Sequence, residues 1–191
     1  MFNRLALIGC GLMGGSLALA MQRARLVRHV VAYSPSESTL QAALQAGVIH
    51  EAAHSPADAT AHADLVVVAV KAPGLPDVAR AMAPLIGPDT IVLTAMNGVP
   101  WWFLDGFGGA AQGRALESVD AGGVIASAIP TSHVVGSVVH TSCSLEAPGF
   151  VKQHFGNRLI VGEPDGSRSE RLQALADTLQ RGGIDVEVST T

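Results

Sequence analysis

Near the amino terminus a short apolar run, Leu5-Ala6-Leu7-Ile8, breaks into closely spaced glycines at Gly9, Gly11, Gly14 and Gly15 and then into helix formers from Leu17 to Met21. The apolar run has the length and composition of a strand buried on both faces, and the small residues after it continue as a helix. Gly9 allows the tight turn between them, Gly11 lets backbone N–H groups approach a ligand with no Cβ in the way, and Gly14 lets the helix pack closely on the strand. A second apolar strand follows about 20 residues on, the spacing expected of a loop that cradles a dinucleotide pyrophosphate on a helix N-terminus. The plain alternative is a glycine-rich turn.

The chain of 191 residues has room for one large domain, or for one domain and part of another, and 48% apolar residues are enough to fill a core. Its formal charge of −4 comes from interspersed acids and bases with few aromatics. No basic cluster marks a nucleic-acid groove or an anionic membrane surface, so neither partner is expected. The two cysteines, Cys10 in the glycine loop and Cys143 far away, form no disulfide framework and fit a reducing compartment.

Arg4, the uncharged run to Met21 and Leu7-Ile8-Gly9-Cys10 imitate secretory and lipoprotein signals. Four glycines interrupt that run, and its removal would take away the first strand of the fold. No other run is long enough to span a bilayer, so a cytoplasmic protein is expected.

After a helix running to about Arg25, His29 to Tyr33 reads as the second strand, ended by Ser34-Pro35-Ser36. An acid at that end would bond the adenosine ribose hydroxyls and favour NAD. Ser34 stands there, with no nearby Arg to grip a 2′-phosphate, so the pattern leans to NADP with NAD as the alternative; Ser34 can also cap the helix from Glu37 to Ala46. Val48-Ile49 reads as a minor strand. His50-Glu51-Ala52-Ala53-His54 matches a zinc-protease pattern, but Gly47 and Pro56 leave too short a span for the long helix of that chemistry, and a surface loop without metal is expected.

Asp64 to Lys71 is the next buried strand, with Lys71 at the carboxyl end that faces ligands in open α/β sheets. A helix from Leu75 to Leu85 turns inward Val78, Ala79, Met82 and Leu85, and Thr90 to Thr94 forms the following strand. Asn97-Gly98 comes next at the same edge, so the Asn97 amide, both donor and acceptor, would lie beside a nicotinamide or a carbonyl substrate. Pro100 starts a short helix whose Trp101, Trp102 and Phe103 fill core, wall the pocket or face another domain. Asp105 to Gly123 reads as irregular or partly helical. His133 to His140, Phe150 to His154 and Arg158 to Gly162 read as strands, the last two joined at Gly156-Asn157, giving the sheet an antiparallel extension. A helix capped by Ser167 with Glu170 and stopped by Gly182-Gly183 precedes a final strand, Ile184 to Val188. The class is α/β, a Rossmann-like doubly wound sheet, mostly parallel, with its antiparallel extension in the C-terminal third.

From about Asp64 to Thr191 the chain resembles the amino-terminal domain of ketopantoate reductases (2-dehydropantoate 2-reductases). The resemblance rests on Val68 to Ala72, Gly87 to Thr90, Asn97-Gly98-Val99-Pro100-Trp101-Trp102, Gly136 to His140, Pro148-Gly149 and Gly162 to Gly166. Its first seventy residues look closer to prephenate dehydrogenases, notably Gly11 to Ala18 and Tyr33 to Ser36, although no His-Pro-Met segment of that family is found. The reductase resemblance implies that residues 1–191 form an NADP-binding domain in which Gly9, Cys10, Gly11, Leu12, Met13 and Gly14 carry the pyrophosphate. Lys71 and Asn97 then lie by the nicotinamide and the keto acid, Ser34 by the adenosine ribose, and Ser142 against the cofactor. The implied reaction is hydride transfer from NADPH to 2-dehydropantoate, giving pantoate in pantothenate biosynthesis. The family's general-acid lysine belongs to a helical second domain that these residues do not include, so weak or no turnover is expected of them alone, and an apolar interface near Trp101 and Trp102 would favour homodimers. Prephenate dehydrogenase and a non-catalytic nucleotide-binding module are the alternatives.

Overall fold

The computed structural model describes residues 1–147 and 150–190; Pro148-Gly149, one of the segments that carry the reductase resemblance, and Thr191 lie outside the described residues. Among the described residues eight strands build one sheet: β1 (Phe2–Ile8), β2 (Val27–Tyr33), β3 (Glu51–Ala52), β4 (Leu65–Val68), β5 (Ile91–Thr94), β6 (Val134–Ala147), β7 (Phe150–Gly162) and β8 (Asp185–Val188). They lie in the order β3-β2-β1-β4-β5-β6-β7-β8. Every neighbouring pair is parallel except β6 with β7.

The central strands are buried on both faces, which is why Leu65-Val66-Val67-Val68 reads as an unbroken apolar run. Successive side chains point to opposite layers. Leu5 and Leu7 face a core shared with helices α1 (Leu12–Arg23), α2 (Glu37–Gln45) and α6 (Glu170–Arg181). Ala6 and Ile8 face a second core filled by α3 (Pro56–Thr60), α4 (Leu75–Met82), α5 (Val124–Ala128), Trp101 and Trp102. Helices on both faces of a mostly parallel sheet make the doubly wound architecture read from the sequence.

Several local expectations give way to specific hydrogen bonds. Val48 and Ile49 form no strand because both of their N–H groups go to the Ala43 carbonyl at the end of α2, so the minor strand forms at Glu51–Ala52 instead. Ser36, not Ser34, caps α2, its hydroxyl accepting from Thr39 N–H at 3.3 Å. Ser169, not Ser167, caps α6, accepting from Leu172 N–H at 3.0 Å, while Ser167 N–H is drawn to Asp165. Helix α1 stops at Arg23, because Arg25 takes a left-handed φ of 56°. Pro84, which has no N–H to continue α4, tightens its end into a single turn over Ala83–Leu85, and Leu85 is left 38% exposed rather than inward.

The segment after Pro100 forms successive turns rather than a helix. Phe150 to Gly162 is one strand, not two, because Gly156 serves as a bulge and not as a hairpin turn. Its φ is 71°, and a Cβ on it would stand 2.1 Å from the His140 carbonyl oxygen, which leaves room for glycine alone. His50 and His54 lie on an extended segment, not one helical turn apart, and the His50 ring accepts from Val30 N–H at 2.9 Å. Among the described residues no group of three or more His, Cys, Asp or Glu is placed to hold a metal ion.

Candidate nucleotide site

The parallel register fixes a common rim. Ile8 lies level with Tyr33 on one side and with Val68 on the other, and Val68 is level with Thr94. Beyond each strand end the ladder continues by one bond: Gly9 N–H donates to the Tyr33 carbonyl, Ala69 N–H to Ile8 and Ala95 N–H to Val68, all at 2.8–2.9 Å. Gly9, Ser34, the segment from Ala69 to Lys71 and the segment from Ala95 to Asn97 therefore leave the sheet along its carboxyl edge. The ligand crevice of an open α/β sheet lies at that edge, where the strand order reverses, here between β1 and β4.

The glycines divide the work at the first of these exits. Gly9 has φ 98°, and a Cβ on it would stand 2.5 Å from the Ala69 carbonyl oxygen. A Cβ on Gly14 would stand 2.5 Å from the Gly9 carbonyl oxygen and 2.6 Å from Leu7 Cδ1. These two positions lock β1, α1 and the end of β4 together at backbone distance. Gly11 differs: a Cβ there would meet nothing within 4 Å. It opens the space before the first turn of α1, which has no side-chain cap and no acidic residue. The N–H groups of that turn, together with the positive helix end, suit an anion. This arrangement fits a dinucleotide diphosphate.

Other residues marked in the sequence fall into distinct settings. Cys10 is buried under the loop, and burial pushes its thiol pKa up, so it is a neutral packing group at physiological pH. Leu12 and Met13 occupy the first turn of α1, with Leu12 exposed. Ser34 is half-buried past β2, its hydroxyl accepting from Ser36 N–H at 3.3 Å. Lys71 is exposed at the start of a short turn after β4. Asn97 lies on the rim, but both functions of its amide are engaged: Nδ2 donates to the Val139 carbonyl at 3.0 Å and Oδ1 accepts from Val139 N–H at 2.7 Å. Ser142 belongs to β6 itself and is exposed, six residues beyond Gly136, the last residue of β6 level with β5. Those six residues correspond to about 20 Å of extended strand, so Ser142 stands out on the β6–β7 ribbon rather than at the strand ends.

Trp101 and Trp102 are buried and pack edge to face, with ring centroids 4.3 Å apart. A Cβ on Gly136 would come within 3.1 Å of the Trp102 ring, so that glycine makes room for the indole. The tryptophans thus belong to the core, and the expected apolar surface lies instead on Val99, Phe103 and Phe107, which are exposed. Sequence reading missed Ala69 and Val139, which act through main-chain atoms and leave no mark in residue type. No helix among the described residues is long and apolar enough to cross a membrane.

A family model described as "NADP oxidoreductase coenzyme F420-dependent" matches residues 4–98. A 2-dehydropantoate 2-reductase from Mesorhizobium japonicum is 37% identical over 193 residues, covering 97% of this chain and 59% of that protein. A solved structure from Ralstonia solanacearum MolK2, described as a ketopantoate reductase, superposes with a TM-score of 0.87 at 40% identity, over 100% of this chain and 61% of that one. Prephenate dehydrogenase from Aquifex aeolicus superposes with a TM-score of 0.68 at 17% identity, over 100% of this chain and 61% of that chain, a likeness of fold alone. The chain thus spans about three fifths of the length of the reductases it matches.

Proposed function

We propose that the chain is a counterpart of the amino-terminal, NADP-binding part of ketopantoate reductases and forms the nucleotide half of an oxidoreductase acting on a 2-keto acid, 2-dehydropantoate. The observation that carries this reading is the pairing of an open Gly11 with the interlocked Gly9 and Gly14 in front of an uncapped helix end. A bound NADPH supplies the hydride. The residues of this chain bind and orient: Gly9 to Gly14 offer main-chain N–H groups to the diphosphate, and Ser34 leaves room beside the ribose without a carboxylate to repel a 2′-phosphate.

Lys71, exposed on the rim, supplies a positive charge for a substrate carboxylate or a polarised carbonyl, and Asn97 presents its spare N–H and lone pair near the nicotinamide. Ser142 reaches the cofactor from the ribbon. Pairing with a second copy, expected from the sequence, would use the exposed Val99, Phe103 and Phe107.

Fluorescence titration with NADPH and NADH tests the reading. Saturable binding with NADPH preferred is the expected result, and binding of neither nucleotide would sink the proposal.

A further inference from the structure

We infer that Asn97 is a positioning residue that splints the β6–β7 ribbon to the nucleotide rim through Val139, an inference that rests on the dinucleotide reading above. Backbone pairing of β5 with β6 ends at Thr94 and Gly136. Beyond that point side chains continue the ladder. Ser137 Oγ donates to the Thr94 carbonyl at 2.8 Å, and Asn97 then takes both main-chain groups of Val139. A planar amide bonded to the N–H and C=O of one residue satisfies both main-chain groups that a longer β5 would otherwise pair. Gly98, with φ 127°, lets the main chain turn away immediately afterwards.

The splint matters because of what lies beyond it. On its other side the ribbon has β8 for a partner only over Arg158 to Val161 of β7. Among the described residues from His140 outward β6 pairs with β7 alone, through register shifts between His140 and Ser142, Ser142 and Cys143, and Leu145 and Ala147. A two-stranded ribbon is marginal in water, so the bond at its base sets where the ribbon stands over the rim. An amide side chain can bond in this way because it donates and accepts in one plane; an aspartate accepts only, and an alanine does neither. The engaged amide keeps one N–H and one lone pair, held in a fixed plane at the rim. In the proposed enzyme these face the nicotinamide end of the nucleotide, so one residue both anchors the ribbon and presents a donor and acceptor pair.

The test uses N97A and two ligands, NADPH and 2′-phospho-ADP-ribose, which lacks only the nicotinamide ring. Amide exchange at Val139 and His140 is expected to speed up about tenfold or more in N97A while exchange in β1 and β4 stays unchanged. NADPH binding is expected to weaken about tenfold, with 2′-phospho-ADP-ribose held within about twofold, a split that general loosening of the domain would not give. Unchanged exchange at Val139, or equal loss for both ligands, overturns the inference. Should N97A fail to fold, the unaltered chain still decides, because one proton of the Asn97 side-chain amide should exchange slowly, and rapid exchange of both overturns the splint. If the unaltered chain binds neither ligand, the dinucleotide reading falls, and the exchange data still judge the splint on their own.

Discussion

Replacing the glycines of the first loop one at a time should separate binding from stability. In Gly14→Ala the new Cβ would lie 2.5 Å from the Gly9 carbonyl oxygen and 2.6 Å from Leu7 Cδ1. Non-bonded carbons prefer roughly 3.5–4.0 Å, so α1 must retreat by about 1 Å from the sheet. Overpacking of this kind costs about 1–3 kcal/mol, and a main-chain oxygen that cannot swing aside puts the cost toward the upper end. The helix gains roughly 0.5–1 kcal/mol from alanine in place of glycine, which leaves a net loss of about 2 kcal/mol. For a domain of this size that lowers Tm by about 4–8 °C.

Gly11→Ala should behave in the opposite way. Gly11 has φ −86° and ψ −167°, open to any residue, and its Cβ meets nothing. The lost N-cap preference and the stiffer unfolded chain offset one another, so stability stays within about 0.5 kcal/mol. The methyl instead occupies the space through which a phosphate approaches the helix end. Losing one charge-assisted hydrogen bond at about 1.5–3 kcal/mol weakens NADPH by roughly 10- to 100-fold. Urea melts and NADPH fluorescence titration on both variants give the readout. A Gly11→Ala protein that binds like the unaltered chain, or a Gly14→Ala protein that is equally stable, would show that the loop's geometry has been misread.

Two further outcomes are expected. Lys71→Ala should leave the urea midpoint unchanged, since Lys71 is exposed, yet weaken binding of NADPH or a 2-keto acid by about tenfold at low salt and less at high salt; a salt-independent loss would argue against a charge role. Burial pushes the Glu163 carboxyl up, but hydrogen bonds from Arg171 and Ser169 outweigh it and hold the group below the usual carboxylate range. Its stabilising contribution is therefore complete above the unfolded value of about 4.3 and is lost as pH falls through the lower folded value. Glu163→Gln should cost about 1.5 kcal/mol at pH 7, and the gap between it and the unaltered chain should close as pH drops below about 4. Urea melts across that range check the sign, and a gap that widens in acid would contradict it.

The glycine spacing, the unbroken apolar runs of β1 and β4 and the periodicity of α4 and α6 carried the doubly wound architecture and the place of the glycine loop between β1 and α1. Each depends on neighbours within a few residues, or on burial on both faces, and both leave marks in residue type. Other features rest on bonds between distant segments. Gly156 reads locally as a turn, but the His140 carbonyl opposite makes it a bulge. Asn97 reads as a free amide at the rim, but Val139, 42 residues away, takes one of its N–H groups and one of its lone pairs. Trp101 and Trp102 read alike as core, pocket wall or interface, and Gly136 on β6 decides for the core by making room for the Trp102 ring. Main-chain atoms are the same at every position, so no pattern of side chains could announce where they would be met; the sequence supplied the elements, and only their packing decided which polar groups remain for a ligand.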